Sequence, residues 1–183
     1  MSKQDQIQLL ARLLPIFRDF GYEGATLNKL AAASGLGKAS LYHHFPGGKA
    51  EIASTLLRQA VARLEKLAFA RLAKRGPAAR RLREFVDGFV AYSDHGESPC
   101  VIVAFSQGSA WQAHGSSIAE QLRSWSALLA TTFVEAGYKP KRARRAADKL
   151  LGQLYGNLLM SKLRSDPRHF QQGVKRIKKE LPG

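Results

Sequence analysis

Residues 38–43 read Lys-Ala-Ser-Leu-Tyr-His, which sets an ammonium, a methyl, a hydroxyl, a phenol and an imidazole within two turns of a helix. Leu41 and Phe45 stand four apart and define the buried side of that helix. Ala39, Tyr42 and His43, with Lys38 and Ser40 in the first turn, therefore face outward or toward the rim. The chemistry such a surface offers is the reading of a DNA major groove. Lys38 can donate to guanine edges or to phosphate, Ser40 can read either base type, the Ala39 methyl can touch thymine, and Tyr42 can hydrogen-bond a phosphate oxygen. Thr26 and Lys49 stand at helix starts, where free N–H groups and the helix dipole favour a phosphate. The plain alternatives are that Thr26 only caps and Lys49 only solvates. Asn28, one turn into the second helix, can reach a base edge or be simply an exposed polar residue.

These side chains need elements to hold them, and hydrophobic periodicity supplies candidates. Ile7, Leu10, Leu14 and Phe17 recur at steps of three and four, giving an amphipathic first helix that Gly21 ends. Pro15 lies inside it and predicts a kink. Thr26 precedes an alanine-rich second helix through Ala33 and offers a cap for it. Gly35 closes that helix, and a third runs from about Lys38 to His44 before Pro46-Gly47-Gly48. Helix, glycine turn and helix behind an amphipathic first helix is the helix-turn-helix order.

The remainder is also helical in period. One long helix is expected from Lys49 to Leu72, and another from Pro77 through Leu82, Phe85, Val86, Phe89 and Tyr92. His95 to Pro99 is a loop, and Cys100 to Trp111 reads as a mostly buried helix. Long helices follow at Ser116 to Ala136 and Lys141 to Arg164, with a last from about Pro167 to Leu181. Nine helices and no credible sheet make this an all-α protein. Three short helices over residues 1–48 form a helix-turn-helix domain, and a larger helical bundle fills residues 49–183.

Competing chemistries find little support. Gly35-Leu36-Gly37-Lys38-Ala39-Ser40 has the look of a phosphate-binding loop, but Ala32 occupies the place of the first glycine. Ala39 follows the lysine where Ser or Thr is required, and a helix precedes the loop where a strand should. No nucleophile elbow or paired-carboxylate arrangement stands out, so catalysis is not expected. A single cysteine, Cys100, excludes an internal disulfide, and the five histidines include no pair at metal-ligand spacing. Neither metal nor cofactor is therefore expected, and a reducing cytoplasm fits best. The opening MSKQDQIQLL lacks the apolar core and small-residue cleavage site of a signal peptide, and the apolar stretch Leu150 to Met160 is too short to span a bilayer.

The run Gly21-Tyr22, Thr26, Leu30-Ala31, Gly35, Leu41-Tyr42-His43-His44-Phe45 and Lys49 resembles the DNA-binding domain of the tetracycline-repressor family of bacterial transcription regulators. Phe45-Pro46-Gly47-Gly48-Lys49 is similar to the branch containing the lincomycin-resistance regulator of Gram-positive bacteria. The resemblance implies a homodimer that represses transcription from a near-palindromic operator and lets go when a small molecule enters its C-terminal domain. By the same resemblance Thr26, Lys38, Ser40, Tyr42, His43 and Lys49 stand where the family touches DNA. Arg12 and Leu13 depart from it, falling where the family has small alanines.

Charge and aromatic content bear on the rest. The chain carries 29 Lys+Arg against 14 Asp+Glu, a formal charge of +15, which points to polyanionic partners. In the first fifty residues six cations (Lys3, Arg12, Arg18, Lys29, Lys38, Lys49) face three carboxylates (Asp5, Asp19, Glu23). Most of the surplus thus lies beyond the reading module, in clusters such as Lys141-Arg142-Arg144-Arg145, and keeps a sequence-indifferent nucleoid-binding protein as the alternative function. Phe89, Tyr92, Phe105, Trp111, Trp125 and Tyr155 are expected as core or as the lining of a lipophilic effector cavity, with Gly96 to Pro99 as its entry edge. Gly152 and Gly156 share a helix face and permit a close helix crossing, within the subunit or at a dimer seam. For the seam, Ile118, Leu122, Trp125 and Leu129 supply one stripe and Leu151, Leu154 and Leu158 the other.

Overall fold

The amphipathic stripes become nine α-helices in a computed structural model that describes residues 3–98 and 100–183. They are α1 (Lys3–Gly24), α2 (Leu27–Ser34), α3 (Lys38–His44), α4 (Gly48–Leu67), α5 (Ala78–Tyr92), α6 (Val101–Ala104), α7 (Gly108–Glu135), α8 (Pro140–Leu163) and α9 (Pro167–Glu180). Single 3-10 turns occupy Phe69–Arg71 and Asp94–Gly96. No strand occurs among the described residues, and the fold is all-α. Pro99, at the end of the expected loop and entry edge, lies outside the described residues.

The chain forms two compact units, each discontinuous in sequence. One comprises residues 1–61 and 100–118, the other 62–99 and 119–183. In the first, the stripe of α1 buries Leu10, Leu13 and Phe17, which join Leu30 of α2, Leu41 of α3, Phe45 and Ile52 in one apolar core. Val101 and Phe105 complete it, the Phe105 ring meeting Phe17 edge-on at 5.7 Å and Tyr22 at 6.0 Å. Leu13 is fully buried and Arg12 is exposed while its guanidinium reaches the Ser34 carbonyl, so the larger side chains are accommodated on α1. Pro15 keeps helical backbone angles; the departure falls at Gly21 (φ 66°, ψ −177°), after which one more turn runs to Gly24.

In the second unit α5 buries Leu82, Phe85, Val86, Phe89 and Tyr92; the Phe85 ring meets Phe69, and Phe89 meets Tyr155 and Phe170, while Trp125, Leu129 and Leu154 are buried in the same unit. The expected helix from Lys49 to Leu72 ends at Leu67 instead. Gly88 of α5 crosses there so closely that an added Cβ would lie 2.0 Å from the Leu67 carbonyl oxygen. The chain then tightens into the 3-10 turn at Phe69, whose ring stacks on Trp125 at 4.7 Å. The expected helix from Cys100 to Trp111 is likewise divided. It breaks after Ala104, and α7 begins at Gly108 (φ 62°), eight residues before the expected start. Glu23 lies across that start, accepting a hydrogen bond from the Ser109 backbone N–H at 3.0 Å and another from its hydroxyl.

Candidate DNA-reading surface

The turn between α2 and α3 is fixed from several sides. Thr26 Oγ1 accepts from the Lys29 backbone N–H at 3.3 Å, capping α2 at its start. Gly35 closes α2 in the left-handed region (φ 71°), where a side chain is strained. Ser34, buried just before it, donates its hydroxyl to the Ala31 carbonyl at 2.8 Å and accepts from the Leu36 N–H at 3.1 Å. Arg12 donates its guanidinium to the Ser34 carbonyl at 3.2 Å, tying α1 to the same turn. Neither Ser34 nor Arg12 is expected at this turn from the sequence. A serine just before a capping glycine is the signal that could have found the first, but nothing local announces the second.

This frame presents one side of α3. Leu41 and Phe45 are fully buried, while Lys38, Ala39, Ser40, Tyr42 and His43 are exposed. Lys38 and Ser40 make no side-chain hydrogen bond or ion pair with the described residues, so both are available to a partner. Tyr42 is 46% exposed and its ring rests on Gly48. That glycine has φ 59°, and a Cβ there would stand 3.1 Å from the ring. The turn favours a glycine, and a larger residue would also press on the ring. Glu51 accepts from the Gly47 N–H at 2.8 Å and fixes the entry to α4.

The remaining candidates divide. Asn28 is exposed on α2, and the His43 ring lies edge-on to His44 at 5.6 Å. Lys49 is half-buried, donating Nζ to the Tyr22 carbonyl at 3.1 Å with the Tyr22 ring centre 4.3 Å away. It braces α4 against α1, and the ammonium keeps N–H groups beyond the one given to Tyr22. Phe20 is 51% exposed, with the Lys29 ammonium 3.6 Å from its ring centre, an exposed ring that the sequence did not single out.

The expected effector rings fall into separate neighbourhoods. Phe89 lies 5.2 Å from Tyr155, 6.1 Å from Tyr92 and 6.4 Å from Phe170, all in the second unit. Trp125 stacks on Phe69, and its buried indole N–H has no hydrogen-bond partner among the described residues. Phe105 belongs to the first unit beside His114 at 6.1 Å, and Trp111 is 43% exposed with its ring against Gly115.

Among the expected seam residues, Leu129, Leu151, Leu154 and Leu158 are buried within the subunit and Leu122 is half-buried. Gly152 and Gly156 are exposed, and a Cβ added to either meets nothing within 4 Å. Leu159, Met160 and Leu163 continue that exposed apolar run on α8, as Leu128 does on α7. A groove of about 580 Å³ between the two helices is lined by Leu122, Ala127 and Leu151, with Arg123, Arg144 and Asp148 at its edges.

This geometry defines a helix-turn-helix protein of the DNA-binding class. Residues 9–56 match the family model described as bacterial regulatory proteins, tetR family. The HTH-type transcriptional regulator LmrA of Bacillus subtilis (strain 168) is 25% identical over 158 residues, covering 84% of each chain. A second regulator of that strain, YxaF, is 23% identical over 155 residues, covering 82% of this chain and 81% of its own. The fold matches the crystal structure of a TetR transcriptional regulator from Legionella pneumophila with a TM-score of 0.78, at 16% identity over 99% of this chain and 98% of that one. The AibR complex with isovaleryl coenzyme A and operator DNA matches with a TM-score of 0.75 at 20% identity, covering 97% and 98%. Residues 9–56 thus carry the helix-turn-helix domain of the tetR family, and the whole chain has the fold of TetR regulators. Among the described residues no helix is long and apolar enough to cross a membrane.

Proposed function

We propose that the chain is a cytoplasmic repressor that binds a near-palindromic operator as a homodimer and is released by a small lipophilic effector. Residues 1–48 read the DNA, and residues 49–183 bind the effector and dimerise. The observation that carries this reading is the outward row Lys38, Ala39, Ser40, Tyr42 and His43, held on a helix whose opposite side is buried through Leu41 and Phe45. Thr26 and Lys49 flank it as phosphate contacts, and Asn28, exposed on α2, reaches a base edge. Two such helices on a two-fold dimer enter successive major grooves, with half-sites about 34–36 Å apart or a multiple of that. Selection from random duplexes should therefore return an inverted repeat; enrichment without one would refute the reading and favour a sequence-indifferent binder.

The open Gly152–Gly156 face, with Leu159 and Leu163 beyond it, supports a second copy of the chain as its occupant, since glycines that touch nothing in the subunit admit a close helix crossing. The unpartnered Trp125 indole N–H supports an effector carrying a hydrogen-bond acceptor. Release requires that the effector bind one state of the repressor better than the other, and that operator weaken the effector by the same factor. Titration of a fluorescent operator with candidate effectors, and the converse, checks that equality.

A further inference from the structure

A cavity of about 290 Å³ opens in the second unit where the end of α7, the first half of α8 and the end of α9 meet. Its floor is apolar: Phe133, Leu150, Ile177 and Leu181 are buried there. Its rim is cationic, formed by Arg142, Arg145 and Lys149 along one stripe of α8. One carboxylate, Glu180, faces them. Lys149 holds it at 2.6 Å and Gln153 lies 3.4 Å from the same oxygen, so that charge is already answered. The Arg142 guanidinium is occupied as well, lying 4.6 Å from the centre of the Tyr138 ring. Arg145 makes no hydrogen bond or ion pair with the described residues. None of the DNA-reading or effector candidates lines this cavity, so it is a site apart from both.

We propose that this cavity binds a small amphipathic carboxylate, its apolar body against Phe133, Ile177 and Leu181 and its carboxylate on Arg145. The chemistry follows from the two halves of the lining. An apolar floor of this size takes a body of roughly eight carbons and rejects a fully hydrated ion. An uncommitted guanidinium at the rim prefers a planar two-oxygen anion, which it can engage through paired N–H donors. Tyr138, wedged between Arg142 and the Phe133 ring at 5.3 Å, forms a rigid aromatic wall beside the opening.

Octanoate is the probe, with octanamide as its uncharged match, titrated into protein labelled at isoleucine methyl groups. Ile177 is the only isoleucine lining the cavity. Octanoate should move the Ile177 resonance in a saturable way, and octanamide should bind about three- to tenfold more weakly. Arg145→Gln should lose a similar factor for octanoate and none for octanamide. Ala146→Trp, which fills the opening from α8, should abolish the Ile177 response while leaving the other isoleucine signals in place as a check on folding. An Ile177 resonance that does not move, or equal affinity of acid and amide in both the parent and Arg145→Gln, would overturn the proposal. A response confined to the other isoleucines would place octanoate in a different pocket and overturn it equally. Each outcome is independent of operator binding.

Discussion

Replacing Gly156 by leucine tests the proposed dimer with effects of opposite sign on the subunit and the assembly. Inside a helix a glycine costs about 1 kcal/mol against alanine, and leucine is nearly as good as alanine. A Cβ at Gly156 meets nothing within 4 Å and the position is exposed, so the subunit has room for the start of the larger side chain. The isolated fold should gain just under about 1 kcal/mol, raising Tm by roughly 2–4 °C for a chain of this length. At a two-fold seam the substitution enters twice. Overpacking of about 1–3 kcal/mol per site becomes about 2–6 kcal/mol of dimerisation free energy, or a dissociation constant raised roughly thirtyfold to twenty-thousandfold. Sedimentation velocity over a dilution series reads the second effect, and thermal melts of dilute protein read the first. Operator affinity should fall with the dimer, because each half-site then binds alone. An intact dimer with the parent dissociation constant and a raised Tm would refute the reasoning and put the glycines on a free surface.

On the reading helix, Lys38→Ala or Ser40→Ala should cost about 1–3 kcal/mol on operator and relax base preference, whereas Tyr42→Phe should weaken all duplexes alike. Parallel binding isotherms on operator and random DNA decide, and equal losses for Lys38→Ala would assign it to phosphate. Gly88→Ala should force α5 away from the Leu67 carbonyl and lose about 1–2 kcal/mol net of its better helix propensity, seen as a Tm lower by roughly 2–8 °C. An unchanged Tm would contradict the close crossing. Hydrogen bonds from the Ser109 hydroxyl and N–H hold the Glu23 carboxyl below its ordinary pKa. Arg168 does the same for Asp166 through its side chain and N–H, and Lys149 with Gln153 for Glu180. Groups lowered in the fold stabilise it above the ordinary carboxylate range, so stability should hold at neutral pH and decline as pH falls below about 4. Urea melts across that range measure the decline, and Glu23→Gln should flatten part of it.

The first fifty residues were legible because their punctuation is local. Gly35 has no alternative to its left-handed role, Thr26 caps the helix it precedes, and Leu41 with Phe45 fixes which side of α3 is buried. What could not be read depends on partners far away in the chain. The end of α4 at Leu67 is set by the backbone of α5 arriving at Gly88, and periodicity on α4 carries no trace of it. The early start of α7 depends on Glu23, eighty-six positions before Ser109. Its local signal, Ser106-Gln107-Gly108-Ser109, was present but hidden behind the apolar run that precedes it. Lys49 shows the same limit. Its place before a helix suggested phosphate, and only the fold reveals the Tyr22 carbonyl it also serves.

Phe105 filling the core around Phe17 has a consequence for how such regulators diversify. The compact unit that presents α3 is assembled from residues 1–61 and 100–118, so the polypeptide passes between the two units at three places, two of them inside the helices α4 and α7. A crossover in the gene that exchanged only the leading segment would bring a new reading head without Val101 and Phe105, leaving a hole where Phe17 and Tyr22 expect an aromatic neighbour. On the proposed function, new operator preferences would be reached by point changes on the outward row of α3, or by exchanging both segments together. Grafting a foreign reading head onto this effector body would have to carry the insert at 100–118 as well, a constraint that separates this architecture from regulators whose modules are strung end to end.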